Sequence, residues 1–189
     1  MSASVEQWRA AIDRERGELS APYLLGLIEA VSGGNPALVN EYGAIGLYQI
    51  HPDTAATLEV SAEQLADPQV NIRTAIRLLR ARSAQLLAAD PSLEQRPEDL
   101  AELTLAAYWY GPAEIVNALR AGARTSAEVW AAAPSGERMA RFVAAVLELA
   151  ESYGSASSGA PAVADRPFPW KMLAGLGLLA AGVVWAARK

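Results

Sequence analysis

Residues 24–55, LLGLIEAVSGGNPALVNEYGAIGLYQIHPDTA, decide how this chain is read. Through Val31 the stretch is apolar at helical spacing, and Ser32-Gly33-Gly34-Asn35-Pro36 stops the helix. Ser32 and Asn35 are turn-closing residues there, because their side chains bond local backbone. From Asn40 to Thr54 the glycines and short apolar pieces predict a loop or small hairpin. Gly43 and Gly46 permit tight turns and close backbone approach to a ligand.

Working outward, Val5, Trp8, Ala11 and Ile12 form one stripe of an amphipathic helix within residues 1–20. That segment carries scattered charges and no apolar run of the kind an export signal has. Ser20 and Pro22 open the next helix. Asp67 is placed to cap a long helix beginning at Pro68, with Val70, Ile72, Ile76, Leu79 and Leu86 on its inner face. Further helices are predicted over residues 98–110, 113–121, 127–133 and 136–153, the last packing Met139, Phe142, Val143, Val146 and Leu147 inward. The expected fold class is all-α, occupying residues 1–153.

The order of residues 31–52 resembles the SLT-type bacterial lytic transglycosylases, lysozyme-like enzymes that cut peptidoglycan glycan strands. Their pattern is E-S-x-x-N-P followed by S-x-x-G-A-x-G-L-x-Q-I-x-P, and the chain follows it without a gap to Pro52. The pattern's glutamate falls on Val31, and its second serine on Asn40. Residues 65–72 repeat the family step L-x-D-P-x-x-N-I. Residues 106–112, AAYWYGP, keep the tyrosine, glycine and proline of A-x-Y-N-A-G-P but place Trp109 and Tyr110 at its asparagine and alanine. The resemblance spans about residues 20–150. It implies a mainly helical, lysozyme-like α+β fold and peptidoglycan as ligand, with no cofactor.

Family chemistry uses one carboxyl group, first as acid to the glycosidic oxygen and then as base toward the C6 hydroxyl, giving a 1,6-anhydro product. Valine can do neither, so the resemblance implies a catalytic site in which Val31 has displaced the glutamate. Two carboxylates are candidate substitutes. Glu41 lies on the loop that lines the family's cleft. Glu29 is two positions before Val31, about 200° around the helix, and faces elsewhere. Sugar-contact candidates are Asn40, Gln49, Tyr48, Tyr108 and Trp109, with Tyr42 as a further aromatic face. Core packing is the competing role for the aromatics, and bracing of the loop for Gln49.

Composition excludes several other classes. The chain has no cysteine and one histidine, His51. Thiolate sites and multi-histidine metal centres are therefore ruled out, and His51 reads as a surface residue. Residues 1–165 hold all 21 acidic residues and 12 of the 16 basic ones, so an acidic body makes no nucleic-acid partner. Arg166, Lys171, Arg188 and Lys189 follow without any acid.

Residues 154–169, GSASSGAPAVADRPFP, read as a linker. Residues 170–189, WKMLAGLGLLAAGVVWAARK, read as a single membrane-type helix with Trp170 and Trp185 at its interfaces. Its uncharged core of 16 residues reaches about 24 Å, and snorkelling of Lys171 and Arg188 would complete a span of about 30 Å. The expectation is a membrane-tethered, peptidoglycan-binding domain of a virion that acts at the bacterial envelope during genome delivery, in company with other virion proteins. The alternatives are an active transglycosylase or muramidase using Glu41 or Glu29, and a structural virion or assembly protein that reuses the fold.

Overall fold

The computed structural model describes residues 2–155. In chain order the helices are α1 (Ala3–Glu6), α2 (Arg9–Glu15), α3 (Ala21–Ser32), α4 (Pro52–Ala56), α5 (Ala62–Leu65), α6 (Pro68–Ala89), α7 (Pro97–Tyr110), α8 (Ala113–Arg120), α9 (Ser126–Ala132) and α10 (Gly136–Ser155). A 3-10 turn, Pro91–Gln95, joins α6 to α7. Among the described residues there is no strand; the expected hairpin is reduced to isolated antiparallel bridges, Val39 with Ile45 and Ile45 with Ile50. The linker from residue 156 onward and the apolar segment 170–189 lie outside the described residues, and α10 runs through Ser155, past the expected boundary at 153. Among the described residues no helix is long and apolar enough to cross a membrane.

Local sequence explains where these helices begin and end. Asp67 accepts from the backbone N–H groups of Gln69 and Val70, and Pro68 follows at the first helical position. Ser61 with Gln64, and Thr125 with Glu128, form capping boxes on α5 and α9. At its far end α3 stops at Gly33, whose φ of 58° is the left-handed cap that glycine adopts without strain. The single helix expected over residues 1–20 is instead two, with Gln7 and Trp8 turning between them. The Trp8 indole N–H donates to the Gly34 carbonyl, so tertiary contact reshapes the amphipathic stripe.

Helix α3 is the centre of the core. Tyr23, Leu24, Leu25, Leu27 and Ile28 are all buried, as a helix apolar on every side must be. It packs chiefly on α10, and α6 packs chiefly on α7. The expected inner face of α6 is buried at Ile72, Ile76, Leu79 and Leu86, but Asn71, Thr74 and Ser83 are buried with it. On α10, Met139, Val143 and Val146 are buried, while Phe142 and Leu147 are only partly so.

Asp90, at the end of α6, ties the 3-10 turn to α7 and to the segment before α9. Its carboxylate accepts from the Ser92 N–H and hydroxyl and from Arg96 at 2.8 Å, with Arg124 at 3.6 Å. Burial pushes the carboxyl up, but the Ser92 hydrogen bonds and the two guanidinium charges outweigh it and hold its pKa below the ordinary value. A depressed carboxyl pKa contributes stability that is complete above the unfolded value, about 3.9, and is lost as pH falls through the folded value. Denaturant titrations are therefore expected to show wild-type stability dropping below about pH 4, with a shallower drop for Asp90→Asn, which is less stable at pH 7 by about 2 kcal/mol.

Candidate functional site

The segment between α3 and α4 is held as a compact loop by bonds that its sequence spacing makes possible. Gly46 N–H donates to the Leu38 carbonyl at 2.8 Å, and Ile45 and Ile50 exchange both backbone bonds. Asn40 Oδ1 accepts from the Tyr42 and Ala44 N–H groups at 2.9 and 3.0 Å, closing the turn around Gly43. Gln49 sits at φ 49°, an uncommon conformation for a residue with a side chain. Its amide Nε2 donates to the Leu38 and Gly46 carbonyls, which fixes that backbone in place.

Three anchors fix the loop to the helices. Ser32 Oγ donates to the Leu47 carbonyl at 2.7 Å from the last turn of α3. Asn71, fully buried on α6, accepts from Tyr48 N–H and donates to the carbonyls of Ile45 and Leu65. Tyr108 on α7 donates its hydroxyl to the Tyr48 carbonyl at 2.8 Å. Burial pushes the Tyr108 phenol far up, against the opposing charge of Arg82, so the hydroxyl stays protonated and keeps donating.

Between this loop and the end of α7 lies a groove of about 280 Å³. Asn40, Tyr42, Gln49, His51, Tyr108 and Trp109 line it, together with Ala44, Ile50, Thr54 and Leu78. Amides, hydroxyls and aromatic faces thus converge in one place. Among the described residues no Asp or Glu side chain lines the groove. His51 caps α4, with Nδ1 accepting from the Asp53 N–H.

The sequence candidates separate clearly. Asn40, Gln49, Tyr108, Trp109 and Tyr42 are brought together in the groove. Tyr48 is not: its ring is fully buried and its hydroxyl donates to the Leu24 carbonyl, so it is a core residue rather than a sugar contact. Val31 is half-buried at the end of α3 and packs against the core. Glu29 points to α10, where it accepts a hydrogen bond from Tyr153. Burial and that carboxylate push the Tyr153 phenol up to about 12. Glu29 is therefore a structural acceptor, and its position removes it as a groove acid. Glu41 is exposed on the loop between two lining residues without lining the groove itself. His51, expected on the surface, is exposed but also forms part of the lining.

Asn71 is the important residue that reading for chemistry passes over. The signal was present twice, as a polar residue inside the apolar stripe of α6 and as the asparagine of the L-x-D-P-x-x-N-I step. Thr54 and Leu78 carry no comparable signal; the fold alone brings them to the groove.

A helical core that holds a glycine-rich loop against an aromatic helix end, with a groove between them, defines a lysozyme-like domain. The transglycosylase SLT domain family matches residues 8–130, and the chain belongs to that family. Among solved structures, the chain is similar to the 70 kDa soluble lytic transglycosylase of Escherichia coli, with a TM-score of 0.54 at 21% identity. The similarity covers 78% of this chain and 24% of that one, and at this identity it shows the shared fold. No curated protein matches the chain.

Proposed function

We propose that this chain holds peptidoglycan glycan strands in the groove without cutting them by the family's carboxyl chemistry. One observation carries the reading: among the described residues no carboxylate lines the groove, the motif's glutamate having fallen on Val31. Proton transfer to a glycosidic oxygen needs an acid within hydrogen-bond reach, and a valine side chain offers none. What remains suits binding. Gln49 and Asn40 present amides, His51 an imidazole, and Tyr42 and Trp109 exposed rings for sugar faces, with the buried Tyr108 bracing the loop behind them.

The same proposal extends to setting. Residues 170–189 tether the domain to a membrane, supported by the uncharged run from residue 172 to 187 between Lys171 and Arg188. A virion that delivers its genome through a bacterial envelope brings such a domain and such a tail to wall and membrane together, alongside other virion proteins.

A second reading keeps the enzyme active through Glu41, and it draws on the place of Glu41 between Asn40 and Tyr42, which both line the groove. Incubation of the full-length chain, in mild detergent, with purified peptidoglycan separates these readings. The wild type is expected to sediment with the wall and to release no 1,6-anhydro muropeptides by mass spectrometry, whereas Val31→Glu releases them. Release by the wild type, abolished in Glu41→Gln, would replace the binding reading with an active enzyme whose carboxyl has moved. Silence without sedimentation would leave a structural part of a particle.

A further inference from the structure

At the C-terminal end of α7 an aromatic cluster starts at the groove-lining Trp109 and continues beyond the groove. Trp109 stacks on Phe142 of α10, with ring centroids 5.3 Å apart and planes 18° from parallel. Tyr110 meets the same Phe142 edge-on, at 6.2 Å and 83°. Phe142 is partly buried against the core, so it anchors both rings. Trp109 and Tyr110 nevertheless keep 38% and 36% of their surface exposed. Trp109 lines the groove, whereas Tyr110 lies outside it.

Single exposed aromatics on a protein surface need no explanation, but a contiguous set continuing a groove does. These rings are held by one another, so little side-chain freedom remains to be lost when a ligand stacks on them. One face of Trp109 is covered by Phe142, and the ring's remaining exposure leaves area for a flat partner. A pyranose ring fits that requirement: its C–H face packs on an aromatic face while its hydroxyls stay in water. The residues concerned are also the two at which AAYWYGP departs from A-x-Y-N-A-G-P. The chain has put aromatic rings where the pattern carries an asparagine and an alanine.

We propose that Trp109, Phe142 and Tyr110 form a stacking platform that extends the groove, taking a further N-acetylhexosamine ring of a β-1,4-linked glycan that has left the groove past Trp109. The platform rests on the reading of the groove as a glycan site. It gives the chain a preference for long strands over short ones.

Calorimetric titration of the full-length chain in mild detergent with the dimer and the hexamer of N-acetylglucosamine tests it. Tyr110→Ala is expected to weaken hexamer binding roughly fivefold to tenfold, leaving the dimer unchanged, while Tyr110→Phe binds both as the wild type does. Tyr110→Leu keeps an apolar contact with Phe142 and is expected to show the same selective loss, which guards against an alanine variant that loosens the fold. Hexamer affinity unchanged in a folded Tyr110→Leu would overturn the platform and leave the groove reading standing. An equal loss for dimer and hexamer would place Tyr110 in the groove itself and overturn the extension. Binding of neither oligomer by the wild type would overturn the glycan reading and the platform with it.

Discussion

Replacing Asn71 with alanine is expected to lower stability by about 4 kcal/mol and to cost the groove its shape. The side chain is fully buried and serves Tyr48 N–H at 2.9 Å, the Ile45 carbonyl at 2.9 Å and the Leu65 carbonyl at 3.1 Å. Each buried group left without a partner costs about 1–3 kcal/mol, and water entering the vacated space recovers only part of it. The melting temperature should fall by roughly 10 °C. Because Ile45 and Tyr48 belong to the loop that lines the groove, ligand binding should weaken further than stability alone predicts. Gly46 makes the test sharper. A Cβ there would lie 2.4 Å from Asn71 Nδ2, on a residue at φ +79°, so Gly46→Ala both strains the backbone and displaces Asn71. In an Asn71→Ala background most of the clash disappears. The double variant should therefore fall well short of the sum of the two single ones, read by urea denaturation.

Gly26→Leu should cost about 3 kcal/mol or more, for a different reason. Gly26 is where α3 and α10 come closest: an added Cβ would stand 2.7 Å from both the Val146 carbonyl oxygen and the Ala150 nitrogen. Overpacking usually costs about 1–3 kcal/mol when side chains can shift, and here the obstructing atoms are backbone. Even Gly26→Ala, which gains about 1 kcal/mol in helix propensity, should be net destabilising. Shaving the neighbour does not help, so Ala150→Gly is expected not to rescue either variant. A rescue would show that the helices separate more easily than this packing implies. Since α3 carries Val31 and Ser32 at its end, the same separation would also loosen the Ser32 bond to Leu47 that holds the loop.

These two sites mark the boundary of what could be read in advance. Helix positions were legible because caps and breakers act locally: Asp67-Pro68 and Gly33 specify their ends through bonds within a few residues. The family motif was legible because its glycines and polar residues keep their spacing, and three of its residues, Asn40, Gln49 and Tyr108, come together along one groove. Tyr48 had two possible roles, core packing and sugar contact, and only the fold decided for the core, because Leu47, Tyr48, Gln49 and Ile50 are all buried in succession and local sequence does not say which of them reaches the groove. The single helix expected over residues 1–20 failed because Trp8 is drawn to Gly34, a contact across 26 residues that no local pattern encodes.

By itself, then, the sequence determined the helical class, the family and the absence of a glutamate at position 31, because each depends on residue type and short spacing. Only the tertiary structure decided that Glu29 is turned to Tyr153 and that Trp109 stands on Phe142. It likewise decided that amides and rings meet along the groove and that, among the described residues, no carboxylate lines it. The physical reason is the same in each case: these facts depend on where distant helices bring their side chains, which follows from packing around α3 and not from the order of neighbouring residues.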